Sequence, residues 1–285
     1  MLKSIVKILS TLSLSRLHAL GAGLGRILYQ VNPTSTHLVR SNLTQSGLFA
    51  TRTQHIQALT KQNVLEHGKA ILETLAIWSK KDDDLVQLVR EIHHWHLVEE
   101  ALAQKKGIIF LTPHMGCFEI ASIYYGSQHP VTVLFRPPKL KFLLPLILQG
   151  RQRKGVTLAE ANAGGVRKLV QALKKGEAVG ILPDQVPKSG EGEWADFFGK
   201  PAYTMTLASK LAEKTGATVI MVFGERLENG TGYAIHLSKV DSIATPTLLN
   251  QAIERQIAQK PEQYLWQYNR YKVRRHTLKK LNAPQ

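Results

Sequence analysis

The feature that most restricts the fold is a pair of short, unbroken apolar runs, each closed by a proline. They are Gly107-Ile-Ile-Phe-Leu111 before Thr112-Pro113, and Ala178-Val-Gly-Ile-Leu182 before Pro183. A run of this length with no polar alternation reads as a strand covered on both faces, and proline ends it because it lacks the ladder N–H. Val131–Phe135 and Ala217–Phe223 are of the same kind, and helical patterns fall between the runs at residues 117–126, 139–153, 164–175, 203–215 and 246–258. Gly230–Leu237 adds a strand, expected in a hairpin with the one before it. Such alternation predicts an α/β domain built on a central, mostly parallel sheet flanked by helices. Ahead of it, residues 35–90 read as a helical lead-in, with patterned stretches at 53–80 and 83–91 and no proline between Pro33 and Pro113. Pro187–Glu193 is expected to be a mobile loop.

The first thirty residues carry apolar stretches, but Lys3, Lys7, Arg16, His18 and Arg26 interrupt any run long enough to cross a bilayer comfortably. Leu2, Ile5, Val6, Leu9 and Leu12 recur at helical spacing, opposite Lys3, Lys7, Ser10 and Thr11. That pattern predicts a basic amphipathic helix lying in a headgroup layer, so residues 1–30 are read as membrane-associating and 31–285 as one catalytic domain. The charge balance agrees: 37 Lys and Arg against 21 Asp and Glu give a formal net charge of +16, which calls for an anionic partner. With Cys117 as its one cysteine, the chain has no disulfide framework and no multi-cysteine zinc site, and it suits a reducing compartment.

The chemistry is expected where the first run ends. His114 follows Pro113 at the carboxyl edge of a buried strand, which is where open α/β sheets bind ligands. A helix starting near Gly116 would turn its free N–H groups toward the same edge. In one continuous helix, His114 and Glu119 would point roughly 140° apart. With His114 in the loop, where Pro113 and Gly116 favour a break, and Glu119 in the first turns, the carboxylate is expected to reach back to one ring nitrogen. An imidazole so held suits removal of a proton from an alcohol nucleophile, and an activated thioester donor makes a serine nucleophile unnecessary. The second run ends in Pro183-Asp184-Gln185 and is expected to deliver polar groups to the same edge; Arg136, Arg151, Arg153 and Lys154 lie between the two runs as candidates for phosphate binding or oxyanion stabilisation.

Together His114-x4-Glu119, Phe135-Arg136-Pro137, Arg153-Lys154-Gly155, Gly180-Ile-Leu-Pro-Asp-Gln185, Phe197-Phe198-Gly199 with Ala202 and Thr204, and Pro261-Glu-Gln-Tyr-Leu-Trp-Gln267 resemble the lipid A late acyltransferase family, the HtrB/LpxL-like lauroyl and myristoyl acyltransferases. The resemblance implies a glycerophosphate-acyltransferase-like α/β fold without a cofactor or metal. It implies transfer of a fatty acyl chain from acyl carrier protein to a hydroxyl of a lipid A precursor at the cytoplasmic face of the inner membrane. It makes His114 the general base and Glu119 its partner, and puts Arg136, Arg151, Arg153, Asp184 and Gln185 at the acceptor and carrier site. Two departures, Cys117-Phe118 for the usual Asn-Trp and Gln267-Tyr-Asn-Arg-Tyr271 for a more basic stretch, bear on the acceptor more than on the reaction.

Other readings remain open at this level. The acceptor is alternatively a lysophospholipid, an ornithine lipid or another glycolipid. A nucleic-acid-binding protein would also use the net charge and the basic tail Arg270, Lys272, Arg274, Arg275, Lys279 and Lys280, although no nucleic acid is the expectation. His94 and His96 would share one face of a strand, but no third metal ligand is obvious near them. Cys117 as a nucleophile beside His114 is the weaker reading against packing.

Overall fold

The computed structural model describes residues 2–48, 53–138 and 140–272, without the side chains of residues 2, 3 and 53. The chain opens with four helices, α1 (Leu2–Thr11), α2 (Leu14–Val31), α3 (Pro33–Gln45) and α4 (Thr53–Ile77), then the short α5 (Asp82–Val86). Caps set several boundaries: Ser13 accepts from Arg16 N–H at the start of α2, and Asn32 accepts from Ser35 N–H at the start of α3, whose first residue is Pro33. Helix α2 crosses α4 at close range because Gly21 and Gly25 face Gly68; a Cβ on Gly68 would lie 2.2 Å from Gly21 O.

The sheet elements follow in chain order: β1 (Val89–His93), α6 (His96–Ala103), β2 (Ile108–Leu111), α7 (Phe118–Gly126), β3 (Val131–Phe135), α8 (Leu144–Arg151), β4 (Val156–Glu160), α9 (Ala163–Lys174), β5 (Ala178–Ile181), β6 (Gly192–Phe197), β7 (Lys200–Met205), α10 (Leu207–Thr215), β8 (Thr218–Arg226), β9 (Tyr233–Lys239) and α11 (Pro246–Gln259). Among the described residues, seven strands form one sheet in the order β1-β9-β8-β2-β5-β3-β4. The β8–β9 pair is antiparallel, as the expected hairpin requires, and the other pairs are parallel. β2 is the central strand, with all four residues buried, and β5 is its neighbour with Ile108 opposite Ala178 and Leu111 opposite Ile181. One face of the sheet packs Ile108, Phe110, Val131, Ile220 and Val222 beneath α6 and α7; the other packs Ile109, Leu111, Val179 and Ile181 against α3, α9, α10 and α11.

Several expectations need correction. Residues 89–93 are strand β1 rather than the end of a helix, because β9 offers them a ladder. Residues 200–205 pair with 192–197 in a separate hairpin, so helix α10 starts at Leu207 and the anticipated loop is shortened at Gly192. β4 carries mixed polarity and escaped the pattern; it pairs with β3 along its whole length. The 139–153 segment is helical over Leu144–Arg151, and residue 139 lies outside the described residues. The amphipathic face of α1 is divided: Val6 and Leu9 are buried against the body, while Ile5 and Ile8 are 44% and 64% exposed. His93 ends β1, His94 has a positive φ of 64°, and His96 opens α6, so His94 and His96 do not share a strand face. Of the basic tail, Arg274, Arg275, Lys279 and Lys280 lie outside the described residues, and Arg270 is buried, donating to Tyr203 O and Thr204 Oγ1.

Candidate active site

His114 sits three residues beyond β2, and Asp184 three residues beyond β5. Because these strands are adjacent and parallel, and Thr112 N–H continues the ladder to Ile181 O, their prolines release the two side chains into one space. His114 Nδ1–H donates to Asp184 Oδ1 at 2.8 Å and its backbone N–H donates to Oδ2 at 3.0 Å. With Nδ1 so engaged, Nε2 carries the lone pair, and the Gln185 amide donates to it at 3.2 Å. The imidazole is 20% exposed and the carboxylate 2%, so one group faces the cavities while the other is held beneath it. Burial opposes ionisation of Asp184, yet the charge and hydrogen bonds of His114 hold its carboxyl below the ordinary range.

The loop carrying His114 is pinned from both sides. Gly116 N–H donates to Gln263 O at 2.9 Å, Cys117 N–H to Gly224 O at 2.7 Å, and Leu265 N–H to His114 O at 3.0 Å. Gly116 has φ +56°, and a Cβ there would lie 2.0 Å from Gly224 O, so this position demands glycine. Arg226 locks the loop from below by donating from Nη2 to Gly116 O at 2.6 Å. It is itself held by Glu73 and Glu66, and Glu73 also receives His18 Nε2–H at 2.9 Å and Tyr233 O–H at 3.1 Å. Burial pushes the Glu73 carboxyl up, but Arg226 and His18 outweigh it and leave the group at about 2. No motif announced Arg226 or Glu73, whose signal was only a charged residue in an apolar stretch; Tyr264, whose phenol lies against Asp184, stood within the Pro261–Gln267 motif with no role assigned to it.

Glu119 does not partner His114. Its Oε1 accepts from Arg151 Nε at 2.8 Å, from Arg151 Nη2 at 2.6 Å and from Trp78 Nε1 at 3.3 Å. It lies in the first turn of α7 facing α8, and the carboxylate from β5 has taken the ring nitrogen. Arg151 packs between the Trp78 and Phe118 rings, at 5.9 Å from each centroid, and the Phe118 ring is 5.2 Å from His114. Arg153, two residues on, is turned away: it donates to Ile77 O, to Lys80 O at 2.9 Å and to Gly150 O at 2.5 Å, and pairs with Asp82. Ile77 ends α4, Lys80 lies in the turn after it and Gly150 is in α8, so Arg153 ties the end of α4 to α8. Cys117 is buried, and burial pushes its thiol well above the usual value, which removes the thiolate a nucleophile needs.

Three cavities meet at these side chains. One is lined by His114, Arg136, Arg151 and Gln185 together with apolar residues. A second lies on the other side of His114 against His67, Glu66, Arg226 and Gln267. A third runs beneath α7 between apolar side chains, with Phe118, Glu119 and Arg151 also lining it. Arg136, Arg151, Asp184 and Gln185 are thus brought to His114, and Arg153 is not.

Residues 3–273 match the family described as bacterial lipid A biosynthesis acyltransferase. The chain belongs to that family. It is therefore an acyltransferase. The lipid A biosynthesis lauroyltransferase of Escherichia coli strain K12 is 25% identical over 266 residues, covering 90% of this chain and 86% of that protein. The palmitoleoyltransferase of the same strain is 26% identical over 231 residues, covering 76% and 72%. The myristoyltransferase is 23% identical over 192 residues, covering 63% and 58%.

Proposed function

We propose that this acyltransferase moves a fatty acyl chain from an acyl carrier protein thioester to a hydroxyl of a lipid A precursor, with His114 as general base. The observation that carries the reading is the Asp184-held imidazole whose Nε2 faces a cavity shared with Arg136 and Arg151. In the first step the acceptor hydroxyl displaces the Gln185 amide from Nε2, which takes the hydroxyl proton as the oxygen attacks the thioester carbonyl, and Asp184 stabilises the imidazolium. The tetrahedral intermediate carries its charge on the former carbonyl oxygen, next to Arg151, whose Nη1 is not used by Glu119. Collapse breaks the carbon–sulfur bond, the imidazolium returns its proton to the departing thiolate, and an ester remains. Glu119 serves here by fixing the guanidinium against Trp78 and Phe118. Arg136 is suited to a phosphate of the acceptor, and the apolar cavity to the acyl chain. The relatives' names span lauroyl, palmitoleoyl and myristoyl transfer, so acyl length is a variable that such a cavity has to set.

We read the N-terminal region as the membrane contact, at the cytoplasmic face of the inner membrane. Among the described residues no helix is long and apolar enough to cross a membrane. Ile5 and Ile8 on α1 and Leu20, Ile27 and Val31 on α2 are exposed, alongside exposed Lys7, Arg16 and Arg26, as suits anionic headgroups. The test is to incubate purified protein in detergent with acyl carrier protein thioesters and candidate acceptors, then weigh the products. One acyl chain added to a lipid A precursor supports the reading; addition only to a lysophospholipid, an ornithine lipid or another glycolipid moves the acceptor assignment.

A further inference from the structure

We infer that Gly180 sets the length of acyl chain this enzyme accepts, acting as a gap in a row of side chains that would otherwise close the apolar cavity; the inference rests on the acyl-transfer reading above. Parallel pairing puts Ile220, Phe110, residue 180 and Val133 opposite one another on β8, β2, β5 and β3. Their alternation brings all four to the face beneath α7. Three of the four positions carry a large apolar side chain and one carries none. The cavity passes there, touching Leu182 and Thr112 on the mouth side and Val131 on the far side.

The direction of the cavity follows from the elements. α7 begins at the carboxyl edge of the sheet, where Glu119 and Arg151 mark the mouth, and runs back to Tyr124 and Tyr125 beside Val131. Trp95 packs edge-on against Tyr124 at 5.7 Å and closes the floor. Two successive side chains on one face of a strand are about 6.6 Å apart, so a side chain at 180 would cut off that much of the far end. The position itself permits one. Gly180 has ordinary strand geometry, and a Cβ there would lie 3.3 and 3.8 Å from the Val133 methyls and 3.9 Å from its Cα, so that side chain need give only by a few tenths of an ångström. Neither a turn nor a tight backbone contact calls for glycine, and the cavity lies in front of it.

The experiment compares kcat/KM for carrier-protein thioesters of graded saturated length in the wild type, Gly180→Ala, Gly180→Leu and Val133→Phe, each checked by thermal melting. Gly180→Leu is expected to lower the longest accepted donor, relative to short donors, about fourfold for each methylene it excludes. Val133→Phe, filling the same space from the neighbouring strand, shifts the profile the same way. Gly180→Ala, which asks Val133 to give by only a few tenths of an ångström, produces a smaller shift and serves if the bulkier variants fail to fold. Folded, active variants with an unchanged length profile, or with equal loss at every length, overturn the inference. A second readout needs no turnover: calorimetric binding of even-numbered saturated fatty acids should weaken in Gly180→Leu for long chains alone. Length-dependent binding in a wild type that acylates nothing would refute the proposed function and leave the ruler standing.

Discussion

Two carboxylates, Asp184 and Glu73, are each almost fully buried and each hydrogen-bonded to a histidine, yet their surroundings differ. Asp184 holds an imidazole whose other nitrogen faces a cavity. Glu73 is enclosed by His18, Arg226 and Tyr233, and its network closes on itself beneath the His114 loop. A buried charge with every partner inside the protein anchors structure, because breaking the set leaves an uncompensated ion. A buried charge that orients a half-open base is arranged for chemistry. The same contrast recurs along the chain between Arg151, at the junction of two cavities, and Arg153, spent on the end of α4.

The contrast breaks if the half-open pair proves dispensable. His114→Ala is expected to lower kcat/KM by about 10²- to 10⁴-fold with little change in melting temperature, since its side chain is partly exposed. Asp184→Asn, with near-native shape but no charge to stabilise the imidazolium, should lose activity by roughly 10²-fold or more in kcat, with KM less affected. The closed network should respond in stability. Glu73→Gln leaves Arg226 short of its counter-charge and is expected to cost about 3–5 kcal/mol in chemical denaturation.

Its pH dependence sharpens the point. Because the Glu73 carboxyl lies at about 2 in the folded chain against an ordinary 4.5, its contribution is complete above 4.5 and is lost as the pH falls toward 2. The wild type should therefore lose roughly 3 kcal/mol over that window beyond what Glu73→Gln loses. The smallest effect is expected at Cys117. Cys117→Ser should keep most activity, whereas abolished turnover in that variant, with an acyl group trapped on Cys117 of the wild type, would transfer the chemistry away from His114.

Much of this was legible in the chain. Strand ends at Pro113 and Pro183 marked both sides of the site, and the motif order marked the family. Glu119 was the natural partner for His114 by proximity, five positions away, and it belongs to Arg151 instead. Arg153 stood in the same basic group as Arg151, and nothing local distinguished a guanidinium that ties two helices together from one that lines a cavity. β1, Val89-Arg-Glu-Ile-His93, was hidden because its apolar residues Val89 and Ile92, three apart, fit a helix until a neighbour offers a ladder.

The sequence by itself determined the alternation of strands and helices, the buried character of β2 and β5, and the delivery of His114 and Asp184 at strand ends, because periodicity and proline chemistry act within a few residues. Tertiary structure alone decided that β5 lies beside β2, so that a carboxylate 70 positions away reaches the imidazole. It also decided that Gly180 falls in a row of large side chains and leaves a cavity there. The order of strands in a sheet is a global outcome of packing, and a local pattern carries no record of it.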